Sequence, residues 1–370
     1  MNTRTSVALS IACILLAAAC KDNKTASNTP GNTKDSLSAV VDSAILKQRT
    51  GFTTSAAAAS ETLVDTSFSQ FAFVTHNKYI ILSASPDTGW AKGDPYPTTG
   101  TNPSVQAAIT DINTSALPAN YAALLNKPFK VGGRAGKLYT ATITNFKLLA
   151  IVIPPFGQVQ TWNSLPSDAA SNKSKARDIR NEGALYLVAT FTMDSLSASD
   201  ELYFAVPATR PIPSFFPFAE KTTATAYKSS IEPLLSKTAA YTTVQKEFET
   251  ASQKGPWWQG EDGVEEVQAF SMNDQKAYVT ICHQGGNACS SNEFFAERFS
   301  IWEVPKNTPP HMLYMKDGYY SLLLAVDIDA DNIPELLVNS GFGKTELLKF
   351  TNGQWTEYYT WIIPYLDCPC

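Results

Sequence analysis

The chain has 370 residues, long enough for two domains or one large repetitive one. Hydrophobic residues make up 44% and aromatics 11%, so a sizeable core can be buried. A net charge of −5 excludes a general nucleic-acid binder, whose affinity rests on neutralising phosphates.

The first residues read as an export signal. Arg4 supplies a short positive region, and Val7 to Leu16 is an apolar run too short to span a bilayer. Ala17-Ala18-Ala19-Cys20 ends it with small residues before a cysteine. This resembles the lipobox of bacterial lipoproteins, although Ala17 stands where Leu is commonest; an ordinary secretory signal is the alternative. The resemblance implies a signal peptide over 1–19, lipidation at Cys20, and a protein anchored by lipid to the bacterial outer membrane. Lys21-Asp22 is similar to the signal that sends some such lipoproteins to the cell surface; a periplasmic placement is the alternative. No later hydrophobic run reaches about 18 residues, so lipid is the one anchor expected.

Residues 20–37 are polar and low in apolar side chains, the composition of a disordered tether. Leu37 to Lys47 has helical spacing. Phe68 to Ser83 predicts two strands around a turn at His76-Asn77. Ser104 to Leu125 reads as helical, interrupted near Pro118. Lys137 to Ile153 predicts two strands, and Ala184 to Phe191 with Glu201 to Val206 a further strand pair. Four prolines make Pro207 to Pro217 irregular. Thr225 to Gln253 is the strongest helical stretch, broken near Pro233. Residues 38–255 are thus expected to form either a mixed α/β domain or a degenerate continuation of the β architecture that follows.

From 256 to 370 the pattern is β. Two units of about 50 residues each predict four short strands, a period that fits propeller blades. The first unit runs Val267–Met272, Ala277–Cys282, Phe294–Val304 and Met312–Met315; the second runs Tyr320–Ile328, Glu335–Asn339, Thr345–Phe350 and Trp355–Trp361. The fold class expected is therefore mainly β with helical insertions, ending in propeller-like antiparallel blades.

The second unit holds the most specific chemical signal. Carboxylates of Asp327, Asp329, Asp331 and Glu335 stand at positions 1, 3, 5 and 9 of one loop between apolar strands. Crowded carboxylates repel unless a cation sits among them, and hard oxygen ligands suit Ca²⁺. The pattern resembles the calcium loop of FG-GAP and VCBS-type repeats in integrin-like β-propellers. That resemblance implies ligation by Asp327, Asp329, Asp331, Glu335 and the backbone carbonyl of Ile333; a solvated acidic hairpin with no metal is the alternative. It departs at Asn332, where Gly is usual; Asn also tolerates the left-handed conformation. An EF-hand is excluded by Val338 at position 12 and by flanking strands rather than helices.

Other candidates are weaker. Removal of the signal and lipidation of Cys20 leave Cys282, Cys289, Cys368 and Cys370; export predicts a Cys282–Cys289 disulfide. The three histidines lie in no catalytic motif. Gly132 to Lys137 lacks the hydroxyl residue and the following helix of a phosphate loop and reads as a turn. Trp257-Trp258, with Glu261 and Asp262 nearby, form a candidate sugar platform, or else a hydrophobic cap. The function expected is non-catalytic binding of a protein or glycan in the cell envelope, with structural Ca²⁺ and no nucleic acid or nucleotide partner. A hydrolase acting on polysaccharide or peptide and a structural envelope-assembly lipoprotein are the alternatives.

Overall fold

The computed structural model describes residues 70–84, 86–96, 106–153, 180–181, 183–193, 200–251, 254–260, 263–273, 275–286, 294–340 and 343–364. They belong to one compact unit, Ser55–Cys370. The expected signal, tether and first helix lie outside the described residues, as do Cys20, Glu261, Asp262, Cys289, Cys368 and Cys370.

The N-terminal strands are β1 (Ala72–Thr75), β2 (Tyr79–Ser83), β3 (Gln106–Asp111), β4 (Pro128–Gly133), β5 (Leu138–Val152), β6 (Ala184–Met193) and β7 (Leu202–Pro207). Their order is β3-β5-β4-β7-β1-β2-β6, and β5 pairs again with β6. Six of them therefore close into an antiparallel barrel, which leaves no unpaired edge. The 15-residue β5 makes closure possible. Its first part pairs with β4, its last part carries β3, and its other edge runs along β6.

Period-two alternation decides which side chains fill the barrel. Ala72, Val74, Leu202 and Ala205 join the cluster that includes Ile80, Val131, Ile143 and Leu187, while the intervening Phe73, Phe204 and Val206 belong to a second cluster. Gly132 lets β4 approach β7: a Cβ there would lie 2.3 Å from the Phe204 ring.

The helix expected over 104–125 is instead β3, a 3₁₀ turn at Thr114–Ala116 and the short helix α1 (Ala119–Ala122). Pairing of Gln106–Asp111 with β5 overrides local propensity there. The strands at 184–191 and 201–206 form as expected but do not pair with each other. β6 lies between β2 and β5, and β7 between β1 and β4. The two strands expected between 137 and 153 are the single β5, with a register shift between Ile143 and Asn145.

Beyond β8 (Ser214–Phe215) come two helices, α2 (Lys221–Leu235, with Pro233 in its last turn) and α3 (Ala239–Thr250), capped by Thr238. Two meanders follow. Sheet I is β9 (Val264–Asn273), β10 (Lys276–Gly286), β11 (Phe295–Pro305) and β12 (His311–Asp317). Sheet II is β13 (Tyr320–Asp327), β14 (Glu335–Ser340), β15 (Lys344–Thr351) and β16 (Gln354–Ile362), with β8 beside β13. The two four-stranded units fall where the sequence places them.

These elements stack in layers. Phe73, Leu149, Val188 and Val206 on the outside of the barrel meet Val326, Leu337, Leu347 and Trp361 of sheet II. The other face of sheet II, with Leu322, Leu336, Val338 and Leu348, meets Phe270, Tyr278, Phe299 and Ile301 of sheet I. The far face of sheet I is covered by α2, α3 and both tryptophans, 257 and 258. Burial on both faces is why β14 and β10 read as nearly continuous apolar runs. β8 joins sheet II and the helices cover sheet I, so residues on either side of position 255 share cores. No helix among the described residues is long and apolar enough to cross a membrane.

Candidate functional site

The acidic loop joins β13 to β14 and brings three carboxylates together. One oxygen each from Asp327, Asp329 and Glu335 lies within 4.8 Å of the others. Asp327 is buried at the end of β13, and its two oxygens accept the N–H groups of Asp331 (3.2 Å) and Asn332 (3.0 Å). These bonds curl the loop, and Asn332 takes the left-handed conformation its residue type permits (φ 63°). Ala330 does so as well (φ 62°), a conformation that costs a β-carbon-bearing residue about 1 kcal/mol or more. Glu335, also buried, accepts from the N–H of Ile328 at 2.9 Å. Asp331 differs from expectation: its carboxylate caps the N–H of Ile333 (2.8 Å) and is not part of the cluster.

Lys349 of β15 supplies the local positive charge. Its Nζ contacts Asp329 and lies 3.4 Å from Glu335. Burial works against the Lys349 charge, but the hydrogen bond to Asp329 and the charge of Glu335 outweigh it and raise its pKa. Glu335 is pushed up to about 7, by burial first and by the charges of Asp329 and Asp331, against the opposing Ile328 hydrogen bond and Lys349. Oδ1 of Asp329 is buried without a hydrogen-bond partner. Hard carboxylate oxygens, one of them unsatisfied, fit Ca²⁺ in donor type; carbonyls or water would complete its six to eight ligands.

A cleft lies between the barrel and the meanders, with a volume of about 1010 Å³. From the barrel it is lined by the β1–β2 turn with His76 and Lys78, by Arg134 in the β4–β5 turn, and by Glu201 and Tyr203. The turn is held by Asn77 (φ 54°), which donates to the carbonyl of Asp200 (3.0 Å) and accepts from the N–H of Leu202 (2.8 Å). From sheet II come Ser321, Asn339, Thr345 and Trp361, which are direct partners across β13, β14, β15 and β16 and so share one face. Gln268 of β9 also reaches the cleft, and its Oε1 is buried with no donor. Phe73 and Leu149 supply apolar wall. Among the described residues Glu201 is the one carboxylate on this lining, and it accepts the Tyr203 hydroxyl at 2.7 Å; Glu266, just behind, accepts the Ser321 hydroxyl at 2.5 Å.

The tryptophan platform is corrected by the structure. Trp257 and Trp258 are 0% and 6% exposed. The Trp258 indole stacks on His283 at 4.6 Å and 4°, leaving that face closed to a sugar. His283 is fully buried between Tyr241 Oη (3.0 Å from Nδ1) and Glu265 (2.9 Å from Nε2). A carboxylate can only accept, so Nε2–H donates to Glu265 and Nδ1 accepts from Tyr241. Burial, the largest influence, lowers the His283 pKa. The His283 hydrogen bond, with help from Lys228, holds Glu265 near about 2 against opposing burial. The arrangement is a core brace between α2, α3 and sheet I.

Cys282 is a free, buried thiol that accepts from Tyr320 N–H at 3.3 Å. Burial pushes its pKa up to about 12. Its expected partner, Cys289, lies outside the described residues.

Sequence reasoning found the acidic loop but missed Lys349, Lys78, Arg134 and Gln268. Lysine spaced from acids by a strand carries no local signature, and the cleft's walls come from segments as far apart as Phe73 and Trp361. Comparison with known proteins adds no relative: the chain matches no family model, no curated protein and no solved structure.

Proposed function

We infer that this chain is an exported, lipid-anchored envelope protein that binds a glycan or protein segment without transforming it, in the cleft between barrel and meanders. The observation that carries the reading is the lining of that cleft. Amides, hydroxyls, aromatic rings and two cations converge there; among the described residues the lining holds one carboxylate, already engaged by Tyr203. Such a mixture suits recognition. Glycoside hydrolysis calls for a facing carboxylate pair, which supports binding over the hydrolase alternative.

Calcium in this reading is structural. It would be held by Asp327, Asp329 and Glu335 and would lock the β13–β14 loop beneath the sheet that walls the cleft. Lys349 must move aside as the ion enters. The finer reading of sheets I and II as blades of the FG-GAP or VCBS type belongs here too. Their four-stranded meanders and the position of the acidic loop support it. Cys20 would carry the lipid that anchors the protein to the outer membrane.

Hydrogen exchange on the full chain, with a panel of neutral sugars, anionic sugars and peptides, tests the central claim. Protection by a hit should centre on β13–β15 and the β1–β2 turn. Hits that protect only other surfaces, or that are cleaved during incubation, overturn the reading.

A further inference from the structure

Resting on the cleft as a binding site, the ligand class can be narrowed. We propose that the cleft takes an anionic saccharide, a sugar chain bearing carboxylate or sulfate groups. Charge is the first argument. Lys78 and Arg134 both line the cleft, both are exposed, and neither forms an ion pair among the described residues. Among the described residues two carboxylates stand against them: Glu201 on the lining, drawn to the Tyr203 hydroxyl, and Glu266 behind Ser321, whose hydroxyl it accepts at 2.5 Å. The lining itself is thus locally cationic in a chain whose net charge is −5, and clefts with low-dielectric walls focus such a field. Arg in particular presents a planar fork that matches carboxylate and sulfate oxygens.

Hydrogen-bonding capacity is the second argument. Gln268 Oε1 is buried and unsatisfied, so a bound group that donates is favoured there. On the facing sheet, Ser321, Asn339 and Thr345 form one cross-strand row, spaced by about 4.8 Å from strand to strand. The Ser321 hydroxyl donates to Glu266 at 2.5 Å and the Thr345 hydroxyl to Asn339 Oδ1 at 3.4 Å; their oxygens still accept and the Asn339 amide nitrogen still donates, which suits sugar hydroxyls. Trp361 ends the row; it is packed against Phe73 and Tyr186 and forms part of the cleft's apolar wall.

Titration calorimetry on the full chain tests the assignment with four probes: a galacturonic acid trisaccharide, a sulfated galactose trisaccharide, neutral galactotriose and triglutamate. At least one anionic sugar should bind with a Kd of about 1 mM or tighter. Galactotriose and triglutamate should each be weaker by about tenfold or more, the first lacking charge and the second lacking hydroxyls. Which anionic sugar binds identifies carboxylate or sulfate as the preferred group. Arg134→Gln and Lys78→Gln, both at exposed positions that leave the fold intact, should each weaken binding by about tenfold, and so should Gln268→Leu. Raising salt should weaken binding further. The assignment is overturned if neither anionic sugar binds, if galactotriose or triglutamate binds as tightly, or if the variants bind as the parent does. A peptide found to occupy the cleft would remove the saccharide assignment and leave the cleft a binding site. No step of this test depends on calcium.

Discussion

Lys349 is the residue on which the charge balance of the acidic loop turns, and its replacement by methionine isolates that balance. Methionine keeps most of the apolar stem and removes the ammonium. Three carboxylates with oxygens within 4.8 Å repel one another, by about 3 kcal/mol per pair at an effective dielectric constant near 20. In the parent, Lys349 contacts Asp329 and approaches Glu335 to 3.4 Å, which offsets much of that repulsion. Breaking one side of a largely buried ion pair costs about 3–5 kcal/mol; since Lys349 is partly exposed, about 3 kcal/mol is expected. The experiment is urea denaturation at pH 8, where Glu335, pushed up to about 7, is mostly ionised. With chelator, Lys349→Met should lower the midpoint by about 0.5–1 M, since the urea m-value of a chain this long lies at or above about 3 kcal/mol/M. Calcium at a hundred times its Kd contributes about 2.7 kcal/mol, so the variant should regain most of its loss and respond to calcium more than the parent. An equal loss with chelator and with saturating calcium would refute the reasoning, because the ion would then not be replacing the ammonium.

Other expectations follow from the same structure. Glu265 has a folded pKa near about 2 against an unfolded 4.5, so its contribution is present above 4.5 and is lost as pH falls toward 2. Discounted for partial exposure, it amounts to about 1–2 kcal/mol; Glu265→Gln should flatten that part of a urea-midpoint series from pH 6 to 2.5. Gly132→Ala drives a methyl into the Phe204 ring and should lower stability by about 2–3 kcal/mol; a wild-type melting temperature would contradict the close approach of β4 and β7. Tyr241→Phe strands Nδ1 of buried His283 and should cost about 1–3 kcal/mol by chemical denaturation. Cys282, buried and with a pKa near about 12, should resist iodoacetamide in the native protein and react after unfolding without reductant. Recovery of a Cys282–Cys289 linked peptide would show instead that the thiol is paired.

Much of the fold is legible locally. The turn at His76-Asn77 lies where two small polar-tipped side chains interrupt apolar alternation, and both residues take positive φ. The eight strands of the meanders and the helices around Pro233 also follow from periodicity and from breaker residues. Neighbours in a meander are neighbours in sequence, so their pairing is written in the spacing. The barrel is different. β6 and β7 are recognisable as strands, but their partners β2, β5, β1 and β4 are set by closure, a long-range condition that no window of sequence contains. The same limit turned residues 106–111 from an expected helix into a strand.

The sites divide along the same line. By itself the sequence determined the converging acids Asp327, Asp329 and Glu335, because ligands at alternate positions of one curled loop are brought together by that loop alone. It also determined that Asn332 accepts a left-handed turn. Tertiary structure decided that Lys349 from a neighbouring strand stands beside the carboxylates, and that Trp257 and Trp258 close a core around His283. It decided the cleft as well, where Lys78, Arg134, Gln268 and the Ser321–Asn339–Thr345 row meet. A local motif needs only chain geometry within a few residues. A charge balance or a binding surface assembled from several sheets exists only once those sheets have packed.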